Sequence, residues 1–489
     1  MKKTSKASVL SNLLWRTMER FGAQGITLVV SLVLARLLDP ETYGVLAMVT
    51  VFTSLMEVFM DSGLANALIQ KKDADDTDFS TVFYMNILFS LVMYLLLFVA
   101  APWIAAFYRM PELKAVIRVL GVMLLISGVK NVQQAYVSRN MLFKKFFFST
   151  LGGTLGAAAV GIAMASMGFG VWALVGQMLF NNFVDTVILW VTVPWRPKKL
   201  FSWDRFRTLF SYGWKLLVSS LIATLYGNLR QLVIGKMYTT DSLAFYNQGD
   251  KLPNLLVNNL NAAIDSVLLP VLAMEQEDVH RVRALTRRAI QVSSFVMWPV
   301  MMGLAVCSEP LVRLVLTDKW LPCVPYLRIF CITYAFYPIH TANLNAIKAL
   351  GRSDIFLGLE VRKKAVGFAA LLATMWFGPY VMALSGLATS LINQMVNAWP
   401  NRKLLNYTYL EQLRDIFPSV ALSLAMVLCV DQVQRLQLPD LATLAIQIPL
   451  GVAVYVAGSA VFRLEAFRYV LGMLKGHFFR DKGKKNEEQ

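Results

Sequence analysis

Long apolar runs recur along the whole of this 489-residue chain. Each run has the roughly 20 mostly apolar residues that an α-helix needs to cross a hydrocarbon core of about 30 Å. Apolar residues make up 57% of the chain and charged residues 16%, and the mean hydropathy is +0.54. The runs do not alternate, and they are twice as long as the strands of about 10 residues in membrane barrels. The sequence therefore predicts an all-α polytopic membrane protein with about fourteen transmembrane helices. The apolar segments lie near residues 11–38, 43–68, 79–106, 115–138, 147–167, 171–193, 208–236, 250–272, 289–314, 323–348, 354–377, 380–400, 414–432 and 442–463.

The distribution of Lys and Arg predicts the orientation of the chain. With the N-terminus in the cytoplasm, most basic residues fall in cytoplasmic loops, for example Lys145, Lys198, Arg207 and Arg287, and few fall in outer loops. This is the bias of the positive-inside rule, and it places both termini in the cytoplasm. The formal net charge of +17 is then explained by membrane topology, so no nucleic-acid partner is expected.

A shift of about 200 residues relates the first half of the chain to the second. The turn 35–41 then lies over the turn 235–241, with basic Arg36 over Lys236 and acidic Glu41 over Asp241. Six helices in each repeat would give two parallel lobes around a central cavity, which is a transporter architecture. The predicted divisions are an N-terminal six-helix lobe at 1–200, a second six-helix lobe at 201–405, helices 13 and 14 at 406–465, and a basic cytoplasmic tail at 466–489.

Several charged residues lie inside the apolar runs, where a charge costs at least about 2.5–3.5 kcal/mol on insertion scales. They include Arg16, Glu57, Asp61, Lys130, Asp185, Lys215, Arg230, Asp265 and Glu360, together with the run 362–364. The cations at Arg16, Lys130, Lys215, Arg362, Lys363 and Lys364 all lie in roughly the cytoplasmic third of the membrane. Such a cluster would suit a large phosphorylated anion. Alternatively, these side chains reach the headgroups by snorkelling, or the 362–364 run belongs to the preceding loop.

Acidic and amide side chains form a second set of candidates. Glu57 and Asp61 share a helix face at i, i+4, and Asn258, Asn261 and Asp265 share another. Either face could line the cavity or hold a coupling cation. Equally, these side chains could satisfy neighbouring helices through hydrogen bonds.

No motif for catalysis or cofactor binding is present in the sequence. There is no GxxxxGK[ST] phosphate loop and no HExxH spacing, and three histidines do not support a Ser/His/Asp set. The sequence therefore predicts a non-enzyme with no catalytic residue, cofactor or metal site.

Five sequence blocks resemble those of the polysaccharide-transporter family, the oligosaccharide-lipid flippases of the multidrug/oligosaccharidyl-lipid/polysaccharide superfamily. The first is LARLLDPETYG at residues 34–44, and the others are DSGLANALIQ at 61–70, GFGVWALV at 168–175, IGKMY with AFYN at 234–247, and ALGRSD at 349–354. The resemblance covers roughly residues 10–405 and is closest to the branch that exports teichuronic or colanic acid units.

The resemblance implies a flippase that moves undecaprenyl-pyrophosphate-linked oligosaccharide repeat units from the cytoplasmic to the outer leaflet by alternating access, for surface polysaccharide synthesis. It also implies the bacterial plasma (inner) membrane as the location. The expected partners are the lipid-linked oligosaccharide, membrane lipids, and a polysaccharide polymerase and glycosyltransferases. The alternatives are a cation-coupled multidrug or small-solute antiporter of the same superfamily, and a membrane polymerase or assembly scaffold.

Overall fold

The computed structural model describes residues 6–61, 64–71 and 73–472, and within these ranges it does not describe the side chains of residues 6–14, 16, 17, 19–21, 60, 61 and 212. The fold is 88% helical, which confirms the predicted all-α polytopic membrane protein. The helices of the first half are α1 Lys6–Leu37, α2 Pro40–Asp61, α3 Leu64–Gln70, α4 Asp76–Tyr108, α5 Glu112–Leu120, α6 Val122–Arg139, α7 Phe143–Ser166, α8 Val171–Thr192 and α9 Trp203–Met237. Those of the second half are α10 Thr240–Met274, α11 Val279–Val306, α12 Ser308–Leu316, α13 Val324–Ala335, α14 Tyr337–Ala349, α15 Ser353–Thr374, α16 Pro379–Leu404, α17 Tyr409–Asp431 and α18 Asp440–Val461.

Every predicted apolar segment coincides with one helix or with two consecutive helices. Within the described residues, 10 helices or joined helices are long and apolar enough to cross a membrane. The number of fourteen crossings stays a prediction. Pro338 explains why the segment 323–348 forms two helices, α13 and α14, because proline fits the first turn of a helix but not its interior.

The chain divides into two compact units, Met1–Ala244 and Phe245–Gln489. In the first unit, α7 packs against α1 and α8, α4 packs against α6, and α9 packs against α2, α3 and α4. The helices α7 and α8 approach closely because small residues lie at their contact. At Gly156, for example, an added Cβ would lie only 2.8 Å from Cε1 of Phe180, which is too close for a larger residue. The lobe boundary predicted at residue 200 stays a prediction, and α9 makes its packing contacts within the first unit.

In the second unit, α11 packs against α13, α14 and α17, α16 packs against α13, α14 and α15, and α17 packs against α18. An apolar core joins Leu272 of α10, Ile290 of α11, Ile339 of α14, Tyr407 just before α17, and Ile416 of α17. Elsewhere the long helices expose large apolar side chains, as α18 does at Val452, which is 60% exposed. Exposed apolar side chains on membrane-spanning helices are suited to contact with lipid.

The ends of the first helices in each half follow the predicted shift. The helix α1 ends at Leu37 and α2 begins at Pro40, whereas α9 ends at Met237 and α10 begins at Thr240. These two turns lie near each other in the first unit, because a Cβ on Gly44 of α2 would overlap the backbone of Thr240. Glycine is required there for the backbones to approach so closely.

Candidate functional site

A buried ion pair joins α6 and α8 in the first unit. The Lys130 Nζ lies 3.3 Å from Asp185 Oδ2, and the two side chains are 12% and 14% exposed. The same ammonium group donates a hydrogen bond of 2.6 Å to Asn182 Oδ1, one helical turn before Asp185. Because charges inside a membrane usually pair with one another or face water, the structure provides Lys130 with a counter-ion that the sequence analysis did not assign to it.

The helix α7 completes this cluster. A Cβ on Gly153 would lie 2.8 Å from Asn181 Oδ1 and 3.4 Å from Asp185 Cβ, so α7 approaches α8 closely at the level of the ion pair. The second carboxylate oxygen, Asp185 Oδ1, is buried and accepts no hydrogen bond from the described residues. The pair therefore retains one unused acceptor.

A polar stripe runs along α9. At about 100° per residue, the side chains of Lys215, Ser219, Tyr226 and Arg230 fall within a sector of about 60° of the helix surface. Lys215 is exposed, and the Nε of Arg230 is buried without a hydrogen-bond acceptor among the described residues. Of the 10 candidate spans, α9 is the least buried, with only 6% of the residues in its apolar stretch buried. Apolar side chains outside the stripe, such as Leu225, are exposed.

The three predicted cations of α15 do not form one surface. Lys363 is 7% exposed, and its Nζ lies 2.5 Å from Glu360 Oε1 on the same helix. Arg362 is exposed and Lys364 is half-buried. Consecutive helical residues point about 100° apart, so these side chains cannot converge on one phosphate from one direction.

The predicted polar face of α10 is hydrogen-bonded to α14. Thr341 Oγ1 donates to Asn261 Oδ1 at 3.1 Å, and Asn345 Nδ2 donates to Asp265 Oδ1 at 2.6 Å. Both pairs are separated by 80 residues in the chain, so the two helices run parallel. These contacts are the interhelical hydrogen bonds that the sequence analysis named as its alternative, although Asp265 remains exposed.

The same face extends toward the start of α10 through Asp250 and Asn254, which sequence reasoning missed. Asp250 accepts hydrogen bonds from Tyr334 OH at 2.5 Å and from Asn254 Nδ2 at 3.1 Å, and Asn258 donates to Asn254. Among the described residues Asp250 has no ion-pair partner. The i, i+4 spacing of 250, 254 and 258 is the signal that would have found this extension.

Three other predicted site residues lie on the first two helices. The side chains of Arg16 and Asp61 lie outside the described residues, and Glu57 is half-buried on α2. Next to Arg16, the ring of Trp15 lies 5.2 Å from that of Phe147 on α7. Within the described part of the chain, no group of three or more His, Cys, Asp and Glu side chains could hold a metal ion.

An ion-pair cluster connects the start of α4 with the start of α9. Arg205 forms ion pairs with Asp75 and with Asp78, and Lys71 Nζ lies 2.6 Å from the fully buried Asp78. The hydrogen bond from Arg205 lowers the pKa of Asp75 to about 2. This cluster holds the beginning of α9, the helix that carries the polar stripe, against the start of α4.

Comparisons with known proteins agree with this architecture. The family described as "Polysaccharide biosynthesis protein" matches residues 33–325. The chain is 25% identical over 386 residues to the teichuronic acid biosynthesis protein TuaB of Bacillus subtilis (strain 168), covering 75% of this chain and 76% of that protein. It is 23% identical over 402 residues to the lipopolysaccharide biosynthesis protein WzxC of Escherichia coli (strain K12), covering 80% of each.

The fold is similar to that of a solved transporter. A structure of the lipid II flippase MurJ in an inward closed conformation matches with a TM-score of 0.77 at 15% identity, covering 94% of this chain and all of that one. The family match spans more than half of the chain and agrees with the sequence blocks identified above. The chain therefore belongs to the polysaccharide biosynthesis protein family, the polysaccharide transporters of the multidrug/oligosaccharidyl-lipid/polysaccharide superfamily.

Proposed function

We propose that the protein is a flippase that moves undecaprenyl-pyrophosphate-linked oligosaccharide repeat units from the cytoplasmic to the outer leaflet by alternating access. Family membership and the MurJ-like fold support a transport role in polysaccharide biosynthesis. The names of TuaB and WzxC support a polysaccharide precursor as the cargo. The location would be a bacterial plasma (inner) membrane with both termini in the cytoplasm.

The polar stripe of α9 is the observation that carries the mechanistic part of this proposal. Lys215 and Arg230 are 15 positions apart, which is about 22 Å along a helix at 1.5 Å per residue. A phosphorylated headgroup passing along α9 would meet a cation first in the cytoplasmic third and then in the outer third of the membrane. The exposed apolar side of the same helix would face lipid, which suits a cargo with a prenyl chain.

The predicted cations differ in their availability to an anion. Lys130 and Lys363 are each paired with a carboxylate, so neither is free to contact an anion. We assign Lys130 a positioning role, because its pair with Asp185 holds α6 against α8, whereas Lys363 pairs within α15. Lys215 and Arg362 are exposed and have no ion-pair partner among the described residues. Lys215 and Arg16 are our candidates for the first contact with pyrophosphate. The repeat places Arg16 over residue 216, next to Lys215.

The carboxylates of α10 are our candidates for a coupling ion. Asp250 and Asp265 lie on one face with three asparagines between them, and Asp250 has no cationic partner in the described structure. Oxygen ligands of this kind suit a proton or a hard cation. They are also the observation that favours the second candidate, a cation-coupled multidrug or small-solute antiporter.

Export of a lipid-linked oligosaccharide by variants of the full chain tests the proposal. A strain lacking the protein is complemented with wild type or with Lys215→Gln/Arg230→Gln, and surface polysaccharide and folded protein are both measured. We expect the double variant to fold and to lose most export. The matched control is Lys114→Gln, an exposed lysine outside the stripe. Normal surface polysaccharide with the double variant would refute the role of α9, and normal polysaccharide without the protein would refute the flippase.

A second measurement separates the two candidate functions. Purified protein in vesicles should flip a labelled lipid-linked oligosaccharide, and Asp250→Asn should abolish acceleration by an ion gradient while slow equilibration continues. Transport of drugs without any lipid carrier would favour the antiporter instead.

A further inference from the structure

A pocket of about 470 Å³ lies in the second unit where the beginnings of α11 and α17 meet the end of α18. Its volume falls within the roughly 300–1,000 Å³ typical of small-molecule sites. Four arginines line it: Arg283 and Arg287 of α11, Arg414 of α17, and Arg463 just after α18. These helix ends are the ones that the distribution of Lys and Arg predicts to face the cytoplasm.

Two of the three acidic side chains in the pocket are already engaged. Asp415 is 6% exposed and accepts from Arg287 at 2.6 Å and from Tyr407 at 2.7 Å. Glu411 accepts from the backbone N–H of Thr408 at 2.7 Å and forms an ion pair with Arg283 at 3.3 Å. The third, Glu465, is exposed.

Of the four arginines, Arg283 and Arg287 are paired with carboxylates, and the other two remain available. Arg414 and Arg463 are exposed, and among the described residues their guanidinium groups have no hydrogen-bond or ion-pair partner. The backbone of Arg463 is in the left-handed region at φ 51°, a conformation that glycine adopts more readily than arginine. The sequence therefore has an arginine at the pocket in a position where the backbone conformation would favour glycine.

Large exposed apolar side chains lie within a few residues of these two arginines in the chain. Phe462 lines the pocket and is 73% exposed, and Val461, Phe417 and Leu410 are 75%, 66% and 77% exposed. An inorganic anion would make no use of such a surface, whereas the acyl chains of a phospholipid would cover it. Basic pockets between membrane helices on the cytoplasmic side suit anionic lipid headgroups.

We propose that this arginine pocket binds the phosphate of an anionic phospholipid from the surrounding bilayer, with Arg414 and Arg463 as the anion-binding residues and Phe462 against the acyl chains. The site is separate from the polar stripe of α9, which lies in the first unit. The inference therefore does not rest on the proposed flippase activity.

Lipid binding by the purified full chain tests the proposal. The affinity for a short-chain phosphatidylglycerol is measured in a zwitterionic detergent and compared with that for phosphatidylcholine of the same chain length and for inorganic phosphate. The variant is Arg414→Gln/Arg463→Gly, in which glycine suits the left-handed backbone and protects the fold. The matched control is Arg402→Gln, an exposed arginine at the end of α16 outside the pocket.

Each Lys or Arg near an anionic lipid surface strengthens binding roughly fivefold. Loss of two arginines should therefore weaken phosphatidylglycerol binding about 30-fold. We expect this loss in the double variant, unchanged binding in the control, and weak binding of phosphatidylcholine by all three proteins. Equal affinity for the two lipids, equal loss in the control, or binding of inorganic phosphate as tight as that of the lipid would each overturn the proposal. Thermal unfolding of the double variant near the wild-type midpoint confirms that any loss is not a loss of fold.

Discussion

The buried pair of Lys130 and Asp185 leads to a quantitative prediction. Replacing Lys130 with Met removes one partner and leaves the carboxylate charged at a position where it is 14% exposed. Breaking a buried ion pair in this way costs about 3–5 kcal/mol, because the remaining charge is uncompensated. Solvent screens this pair little, since the lysine side chain is also only 12% exposed. We therefore expect Lys130→Met to destabilise the protein by several kcal/mol.

A double-mutant cycle separates the pair from the rest of its surroundings. In Lys130→Met/Asp185→Asn no charge remains, so most of the lost stability should return, and the coupling free energy should be at least about 3 kcal/mol. The measurement is unfolding of the purified protein in detergent. The control is Lys215→Met, an exposed lysine, which should change the stability by less than about 0.5 kcal/mol.

The same variants distinguish a positioning role from a role in transport. The double variant should fold and retain export, whereas Lys215→Met should fold and lose it. The reasoning fails if Lys130→Met is no less stable than the Lys215 control. It also fails if the effects of the two single changes at the pair simply add.

Two further predictions concern the ends of α9. Gly235→Ala would place a Cβ against the Sδ of Met48, so we expect overpacking to lower the free energy of unfolding by about 1–3 kcal/mol. Gly227→Ala is the control, because a Cβ there would have no atom within 4 Å, and it should not destabilise the protein. Thermal unfolding of the two variants tests this. The pKa of Asp75 is lowered to about 2 by Arg205, so the stability from this contact is present above the usual Asp pKa of about 3.9 and is lost as the pH falls through about 2. Asp75→Asn should therefore unfold at a lower temperature than wild type at about pH 5, with the difference disappearing near pH 2, and a constant difference would contradict the assignment.

The helical segments could be predicted from the sequence because the requirement for crossing a bilayer is local. A run of sufficient length and hydropathy must form a helix in lipid, where each backbone polar group needs an internal partner. The turn of the repeat could also be predicted, since α1 and α9 end at Leu37 and Met237. The break between α13 and α14 was missed, although Pro338 marks it.

The candidate site could be predicted only as a set of residue types. Lys130 was identified as a costly membrane cation, but its neighbour Asn182 lies 52 positions away in the chain, and nothing local in the sequence pairs them. Asp250 was missed, and its partner Tyr334 is 84 positions away.

The amino-acid sequence alone was sufficient for the class of protein, the helical segments and the family, because hydropathy and short motifs are properties of contiguous residues. Tertiary structure decided which charges are paired and which are exposed. Helix rotation and packing bring Asp185 to Lys130 and leave Lys215 exposed. Both lysines carry the same charge inside an apolar run, and only the arrangement of neighbouring helices makes them different.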